Sequence, residues 1–252
     1  MALRVCLAVG FAGVVACGTG ERPDSGRNPR ETKDNTSVAK GGGAGGASAE
    51  SASSSPKAVR TPVVLFFGTS LTAGLGLEPA QAFPTLIEKK AQADGMPITA
   101  VNAGLSGETT AGAARRIDWV LRTPVDLVVI EGGANDALRG LSPEAARANL
   151  ERVIEVVRKK QPAAKIALVQ MEAPPNLGTA YTRSFRSIYA DIAKKEGIPL
   201  LPFLLADVAG IARLNQADGI HPNVVGERIV ADNLWRALKP IVAQLDRPAK
   251  SG

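Results

Sequence analysis

The fold of this chain is indicated by the stretch Val63-Val64-Leu65-Phe66-Phe67-Gly68-Thr69-Ser70-Leu71-Thr72. The apolar run over 61–67 predicts a strand that is buried on both faces. Gly68, Thr69 and Ser70 predict a tight turn at the end of this strand, with a serine on the turn. Strands buried on both faces are typical of parallel sheets covered by helices, so we expect an α/β fold.

The alternation of apolar strands and amphipathic helices continues along the rest of the chain. Further strands are predicted over 98–102, 125–131, 165–171 and 198–202, and helices over 79–94, 109–122, 142–160, 179–196 and 222–245. Ser142 and Pro143 are typical of a helix start, because serine caps free N–H groups and proline fits the first turn. This alternation predicts a parallel sheet with helices on both faces.

The only histidine of the chain, His221, lies three residues after Asp218 in the segment Asp218-Gly219-Ile220-His221-Pro222-Asn223. Histidine is the usual side chain for moving protons near neutral pH, because its unperturbed pKa is about 6.5. Serine becomes a strong nucleophile when such a base takes its proton and a carboxylate orients the base. We therefore predict Ser70 as nucleophile, His221 as base and Asp218 as orienting acid. Taken alone, His221 is better explained as a loop residue that satisfies a hydrogen bond, and it is the serine after the buried strand that favours the catalytic role.

The candidate residues follow the ends of separate strands, and these ends meet at one edge of a parallel sheet, where ligands bind. A tetrahedral intermediate also needs hydrogen-bond donors for its oxyanion. The N–H groups of Ser70 and Gly107 and the side-chain amide of Asn135 are the predicted donors. Gly107 suits this role because a residue without Cβ lets a substrate approach the backbone closely. Taken singly, Ser70 could instead cap a helix, Gly107 serve a turn and Asn135 cap a loop.

Four segments together resemble the GDSL or SGNH hydrolase family, over 61–252. They are Phe67-Gly68-Thr69-Ser70-Leu71-Thr72-Ala73-Gly74, Val101-Asn102-Ala103-Gly104-Leu105-Ser106-Gly107-Glu108-Thr109, Gly133-Ala134-Asn135-Asp136 and the segment that carries His221. Within the family they are most similar to the bacterial acyl-CoA thioesterase I, lysophospholipase L1 and arylesterase group. The resemblance implies a flavodoxin-like three-layer α/β/α sandwich with a five-stranded parallel sheet.

The resemblance also implies a role for each matched residue. Ser70, Asp218 and His221 would form the catalytic triad, and Ser70, Gly107 and Asn135 the oxyanion hole. The loop beside the acyl chain would be the segment that contains Pro174, Pro175, Asn176 and Leu177. One residue departs from the family pattern, because Thr69 stands where an aspartate is usual, although the triad does not use that aspartate.

The N-terminal quarter does not have the pattern of a folded domain. Residues 1–16 predict an export signal, because an apolar run shorter than a membrane span follows a positively charged start. Ala16-Cys17 resembles the lipobox of bacterial lipoproteins, which implies a lipidated Cys17. Residues 17–58, rich in Gly, Ala and Ser, predict a flexible tether, and 59–252 the hydrolase domain. We expect an exported lipoprotein anchored in a membrane, with a secreted soluble protein as the alternative.

Composition and charge narrow the classes of partner. The net charge is +6, but the Lys and Arg residues are scattered and no basic stripe is interleaved with aromatic residues, which argues against nucleic-acid binding. The two cysteines, Cys6 and Cys17, lie in the first twenty residues, outside the predicted hydrolase domain, and we see no metal-ligand pattern in that domain. We therefore expect no cofactor and no metal.

The sequence thus predicts a serine esterase that hydrolyses acyl esters or thioesters, including lysophospholipids. A carbohydrate O-deacetylase of the same family is an alternative, and chain-length preference would distinguish the two. A lipoprotein that binds lipid or glycan without catalysis is a third possibility, against which the complete set of Ser70, Gly107, Asn135 and His221 argues. The sequence does not determine the natural substrate or the oligomeric state.

Overall fold

The computed structural model describes residues 60–245, and the five predicted strands form one parallel sheet within them. The strands are β1 Val63–Gly68, β2 Thr99–Gly104, β3 Leu127–Ile130, β4 Lys165–Gln170 and β5 Leu200–Phe203. They lie in the order β2-β1-β3-β4-β5, and every neighbouring pair is parallel. This is the flavodoxin-like order of a doubly wound sheet, so the predicted fold class is confirmed.

Seven α-helices lie within residues 60–245. They are α1 Ser70–Ala73, α2 Phe83–Ala93, α3 Thr110–Val120, α4 Ala134–Leu138, α5 Pro143–Lys160, α6 Thr179–Glu196 and α7 Val224–Val242. The helix predicted over 79–94 is divided, because Ala82 is extended between a 3₁₀ turn at Pro79–Gln81 and α2. The sequence analysis missed α1 and α4, since helices of four and five residues are too short to show an apolar period.

The helices cover both faces of the sheet. Helices α2 and α7 pack together on one face, and α3, α5 and α6 pack together on the other. The chain moves in one direction from β1 to β2 and in the opposite direction from β2 to β3. Because crossovers between parallel strands are right-handed, this reversal places α2 and α3 on opposite faces. The point of reversal lies between β1 and β3, where a crevice forms beyond the strand ends.

Strand β1 forms the centre of the hydrophobic core. Val64, Leu65, Phe66 and Phe67 are each no more than 1% exposed. Phe66 contacts the ring of Phe83 on α2 edge-to-face, with ring centroids 5.8 Å apart. Successive side chains on a strand point to opposite faces of the sheet. Phe67 accordingly points to the other face, where the guanidinium of Arg116 on α3 lies over its ring. Because both faces of β1 are buried, its sequence is continuously apolar and does not alternate between apolar and polar residues.

The N-terminal predictions lie outside the described residues. These are the export signal over 1–16, the lipidated Cys17 and the tether over 17–58, and they stay predictions. Among residues 60–245, no helix has both the length and the apolar character needed to cross a bilayer.

Candidate active site

Ser70 and His221 are brought together at the carboxyl edge of the sheet. Ser70 is the first residue of α1, directly after the turn that ends β1. Its Oγ lies 2.8 Å from Nε2 of His221, although 151 positions separate the two residues in sequence. This distance is within the range for direct proton transfer between a nucleophile and a base.

Asp218 forms the third member of the same hydrogen-bonded series. Its Oδ2 lies 2.7 Å from Nδ1 of His221, and its Oδ1 accepts the N–H groups of Ile220 and His221, both at 3.0 Å. These bonds, above all the side-chain bond to His221, lower the pKa of Asp218 to about 2. The carboxylate is therefore ionised at neutral pH and holds a proton on Nδ1, which leaves Nε2 free to accept one from Ser70.

The loop that carries Asp218 and His221 is held by Gln216, a residue that the sequence analysis missed. The N–H of Gln216 donates to the carbonyl of His221 at 2.7 Å. Its side-chain amide donates to the carbonyl of Leu75 at 2.7 Å, just after α1. Gln216 thus ties the histidine loop to the segment that follows the serine. A single glutamine in a loop gives no signal from which this role could be predicted.

The three predicted oxyanion donors lie on separate segments of the chain that line one cavity. The N–H of Ser70 is the first in α1, where no intrahelical acceptor is available. Gly107 has a φ of 76°, and among the described residues its N–H donates to no carbonyl. Nδ2 of Asn135 donates to the carbonyl of Glu108 at 3.0 Å, which leaves its second amide hydrogen available to a ligand.

Buried or partly buried charged side chains hold the segments that carry Gly107 and Asn135 in place. The carboxylate of Glu108 accepts Nε and one terminal nitrogen of Arg116 at 2.8 and 2.6 Å. Arg116 also donates to the carbonyl of Ala103 at 3.0 Å, at the end of β2. The carboxylate of Asp136 accepts the N–H and the hydroxyl of Thr110 at 2.8 and 2.6 Å. The loop of Gly107 and the helix of Asn135 are therefore held in place before a substrate arrives, as electrostatic stabilisation requires.

A further carboxyl group, that of Glu131, lies beneath the turn that carries Ser70. Its side chain accepts hydrogen bonds from Thr69 and Thr72 and is 3% exposed. Burial raises its pKa above the ordinary glutamate value. The sequence analysis included Glu131 only as the end of a predicted strand and missed this contact, because its partners lie 59 and 62 positions away.

The cavity beside Ser70 and His221 has a volume of about 530 Å³. Its walls are mainly apolar, with side chains from loops that follow β1, β3, β4 and β5. The apolar lining residues are Leu71, Leu75, Ala134, Leu138, Met171, Ala173, Pro174, Pro175, Phe203, Leu205, Ala209 and Ile220. A cavity of this size and character suits a small ligand with an apolar portion.

The segment predicted to lie beside the acyl chain is only partly in this cavity. Pro174 and Pro175 line it, whereas Asn176 and Leu177 do not. Leu177 instead packs against the hydrophobic core within the 3₁₀ turn Pro175–Leu177. Among residues 60–245, no group of three or more His, Cys, Asp or Glu side chains is placed to hold a metal ion.

A serine, a histidine and an aspartate in hydrogen-bonded series at the edge of a flavodoxin-like sheet are the arrangement of a hydrolase. Residues 66–229 match the model of the GDSL-like Lipase/Acylhydrolase family, and the chain belongs to this family. The predicted family is therefore confirmed, and with it the class of enzyme, a hydrolase of carboxylic ester bonds. The individual roles predicted for Ser70, His221 and Asp218 rest on the geometry described above and stay predictions.

Relatives of known sequence and structure agree with this assignment. Esterase TesA of Pseudomonas aeruginosa is 37% identical over 180 residues, which cover 71% of this chain and 89% of that protein. Thioesterase 1/protease 1/lysophospholipase L1 of Escherichia coli K12 is 33% identical over 187 residues, 74% of this chain and 88% of that protein. The crystal structure of AlinE4, an SGNH-hydrolase family esterase, covers 75% of this chain and 98% of its own, with 39% identity and a TM-score of 0.61.

Proposed function

We propose that this enzyme hydrolyses acyl esters or thioesters through an acyl-enzyme on Ser70. The observation that carries the proposal is the continuous series from Ser70 Oγ to His221 Nε2 at 2.8 Å and from His221 Nδ1 to Asp218 Oδ2 at 2.7 Å. This series opens onto the cavity that Gly107 and Asn135 also line. Nucleophile, base and oxyanion donors therefore meet where a carbonyl group can bind.

The reaction follows from the position of each group. Ser70 Oγ attacks the carbonyl carbon while its proton passes to Nε2 of His221, and Asp218 stabilises the imidazolium that forms. The oxyanion accepts hydrogen bonds from Ser70 N–H, Gly107 N–H and Asn135 Nδ2. His221 then gives its proton to the departing alkoxide or thiolate. It next takes a proton from a water molecule, which attacks the ester carbonyl on Ser70. As the bond between the acyl carbon and Ser70 Oγ breaks, His221 returns this proton to Oγ, and the acid is released.

We propose acyl groups of short to medium chain length as substrates. The cavity of about 530 Å³ has mainly apolar walls, which suits an aliphatic chain better than a sugar ring with many hydroxyl groups. The names of the relatives, an esterase and a thioesterase that is also a lysophospholipase, support the same range of leaving groups. The pocket does not distinguish an ester from a thioester, because both present the same carbonyl carbon to Ser70.

The test is hydrolysis of p-nitrophenyl esters from acetate to palmitate by the full-length chain and by Ser70→Ala. We expect turnover that falls by roughly 1,000-fold or more in the variant, since a triad nucleophile is removed. Ser187→Ala is the matched control, because Ser187 is an exposed serine on α6 that donates to a helix carbonyl. Equal rates in the parent and Ser70→Ala would refute Ser70 as nucleophile. Release of acetate from acetylated sugars, with no activity on longer acyl esters, would favour the deacetylase alternative.

We also propose that the enzyme is exported and anchored in a membrane through a lipidated Cys17. Support comes from the apolar run that ends at Ala16 and from the small residues on both sides of the cysteine. In a bacterial host, incorporation of a labelled fatty acid and sedimentation with membranes test this proposal. Both should be lost in Cys17→Ser. Membrane-free enzyme without label in the parent chain would instead indicate a secreted soluble protein.

A further inference from the structure

We propose that Glu131 is a positioning residue that holds the nucleophile turn in its reactive geometry. The inference rests on the proposed role of Ser70 and goes beyond it, because Glu131 touches neither Ser70 Oγ nor His221 in the structure. Glu131 directly follows β3, and its N–H donates to the carbonyl of Phe67 at 2.9 Å. This backbone bond extends the pairing of β3 with β1 to the end of the strand that leads to Ser70.

Three donors from the nucleophile turn converge on the carboxyl of Glu131. Oε2 accepts the N–H of Thr69 at 2.7 Å and the hydroxyl of Thr72 at 2.9 Å. The hydroxyl of Thr69 lies 3.1 Å from Oε1 and 3.0 Å from Oε2. The donors come from the residue before Ser70 and the residue two after it. The carboxyl therefore clamps both sides of the serine.

The contacts of Glu131 also explain why glycine and threonine stand at positions 68 and 69, just before Ser70. A Cβ on Gly68 would lie 2.1 Å from Thr72 Oγ1 and 2.5 Å from Glu131 Oε2, so only glycine leaves room for these contacts. Thr69 stands where the family usually has aspartate, and its hydroxyl can donate to Glu131, whereas an ionised aspartate can only accept. Thr69 in this chain thus adds a donor to the clamp.

A carboxyl at this position is costly for the fold. Glu131 is buried, and no described residue forms an ion pair with it. Burial raises its pKa, which shows that the environment disfavours the charged form. An apolar side chain would avoid this cost, because removing a charged carboxylate from water is unfavourable even where hydrogen bonds offset part of the loss. What the carboxyl provides, and an apolar side chain would not, is a fixed arrangement of Thr69 and Thr72 on either side of Ser70.

The consequence for catalysis is geometric. The turn sets both the direction of Ser70 Oγ toward His221 and the position of the Ser70 N–H that serves the oxyanion. A misplacement of about 1 Å at a reacting group can reduce the rate by roughly 100-fold. Loss of the clamp should therefore lower kcat without a comparable change in KM, because most of the apolar residues that line the cavity, Leu71 excepted, lie outside the clamped turn.

The test compares Glu131→Leu with the full-length parent, using active-site titration and inactivation by a p-nitrophenyl phosphonate that labels the reactive serine. We expect kcat per titrated site and the rate of phosphonylation to fall together by roughly 10- to 100-fold, with KM changed by less than about threefold. Glu227→Leu is the matched control, because Glu227 is also buried but accepts the N–H of Phe83, away from the nucleophile turn. It should keep kcat per site within about twofold, since it does not touch that turn.

Thr72→Val provides a second variant in case Glu131→Leu does not fold. It removes one donor at nearly constant volume, and Thr72→Ser restores the hydroxyl. We expect Thr72→Val to lower kcat per site several-fold and Thr72→Ser to recover it. Unchanged kcat per site and unchanged phosphonylation in both Glu131→Leu and Thr72→Val would overturn the inference. Mass-spectrometric mapping of the phosphonate to a residue other than Ser70 would instead refute the proposed nucleophile, so the two failures are distinguishable.

Discussion

The parent enzyme should become less stable as the pH rises, because the buried Glu227 then ionises. We expect Glu227→Gln to abolish this pH dependence. Glu227 lies in the first turn of α7, is 1% exposed and accepts the N–H of Phe83 at 2.7 Å. Burial raises the pKa of Glu227 from 4.5 to about 8. The unfolded chain releases this proton near pH 4.5 and the folded chain only near pH 8. The contribution of Glu227 to the free energy of unfolding is therefore fully present below about pH 4.5 and declines as the pH rises toward 8.

The size of the effect follows from these two pKa values. One pKa unit corresponds to about 1.4 kcal/mol, so the interval from 4.5 to about 8 sets an upper limit of about 5 kcal/mol. An ionised carboxylate can shift toward water, which reduces the cost of burial. We therefore expect about 2–3 kcal/mol at pH 8.5, equivalent to a Tm lower by about 4–12 °C for a domain of this size. Glutamine stays neutral and can still accept the N–H of Phe83.

The assay is thermal unfolding of the full-length chain between pH 5 and pH 8.5, followed by circular dichroism. The parent and Glu227→Gln should unfold at similar temperatures at pH 5, and the variant should be the more stable at pH 8.5. Glu88→Gln is the matched control, because Glu88 is partly exposed and accepts one backbone N–H, that of Ala100 at 2.9 Å. Parallel curves for the parent, Glu227→Gln and Glu88→Gln would refute the reasoning.

Three further substitutions test the site and its support. Asn135→Ala should lower kcat by roughly 100- to 1,000-fold with little change in KM, because it removes one oxyanion donor; steady-state kinetics on a p-nitrophenyl ester measure this. Asp218→Asn should lower kcat by roughly 100- to 10,000-fold, because the orienting carboxylate of His221 is lost, and a fall below threefold would contradict its role. Gly133→Ala should reduce the free energy of unfolding in urea by about 2–5 kcal/mol, because its Cβ would lie 2.3 Å from the hydroxyl of Tyr189 at a φ of 103°. A midpoint equal to that of the parent would show that Tyr189 moves aside.

The sheet could be predicted from the sequence because each strand is a continuous apolar run that ends at a turn. Burial on both faces leaves no room for polar alternation, and this property is local to each run. Candidate site residues could be chosen because Ser70, Gly107, Asn135 and His221 each lie just after an apolar strand or in a recognisable segment, and the structure brings them to one cavity. The boundaries were less accurate, since Ala82 divides one predicted helix and two short helices show no period.

The supporting contacts could not be predicted in the same way. Glu131 meets Thr69 and Thr72, and Gln216 meets Leu75, through contacts that span 59 to 141 positions. Each of these residues is also common at strand ends or in loops, so its type carries no specific signal. Asn176 and Leu177 lie in the segment that the resemblance places beside the acyl chain, but the local 3₁₀ turn directs Leu177 to the core.

The sequence by itself thus determined the fold class and the family, and it named the candidate residues of the site. Those properties depend on local apolar patterns and on short segments, which a linear chain displays directly. Only the tertiary structure decided that Ser70 Oγ lies 2.8 Å from His221 Nε2 and that a buried carboxyl holds the turn beneath the serine. These contacts depend on the order of the strands in the sheet and on the helices that pack on both of its faces. Strand order sets which loops meet at the sheet edge, and the distance between strands in the sequence does not.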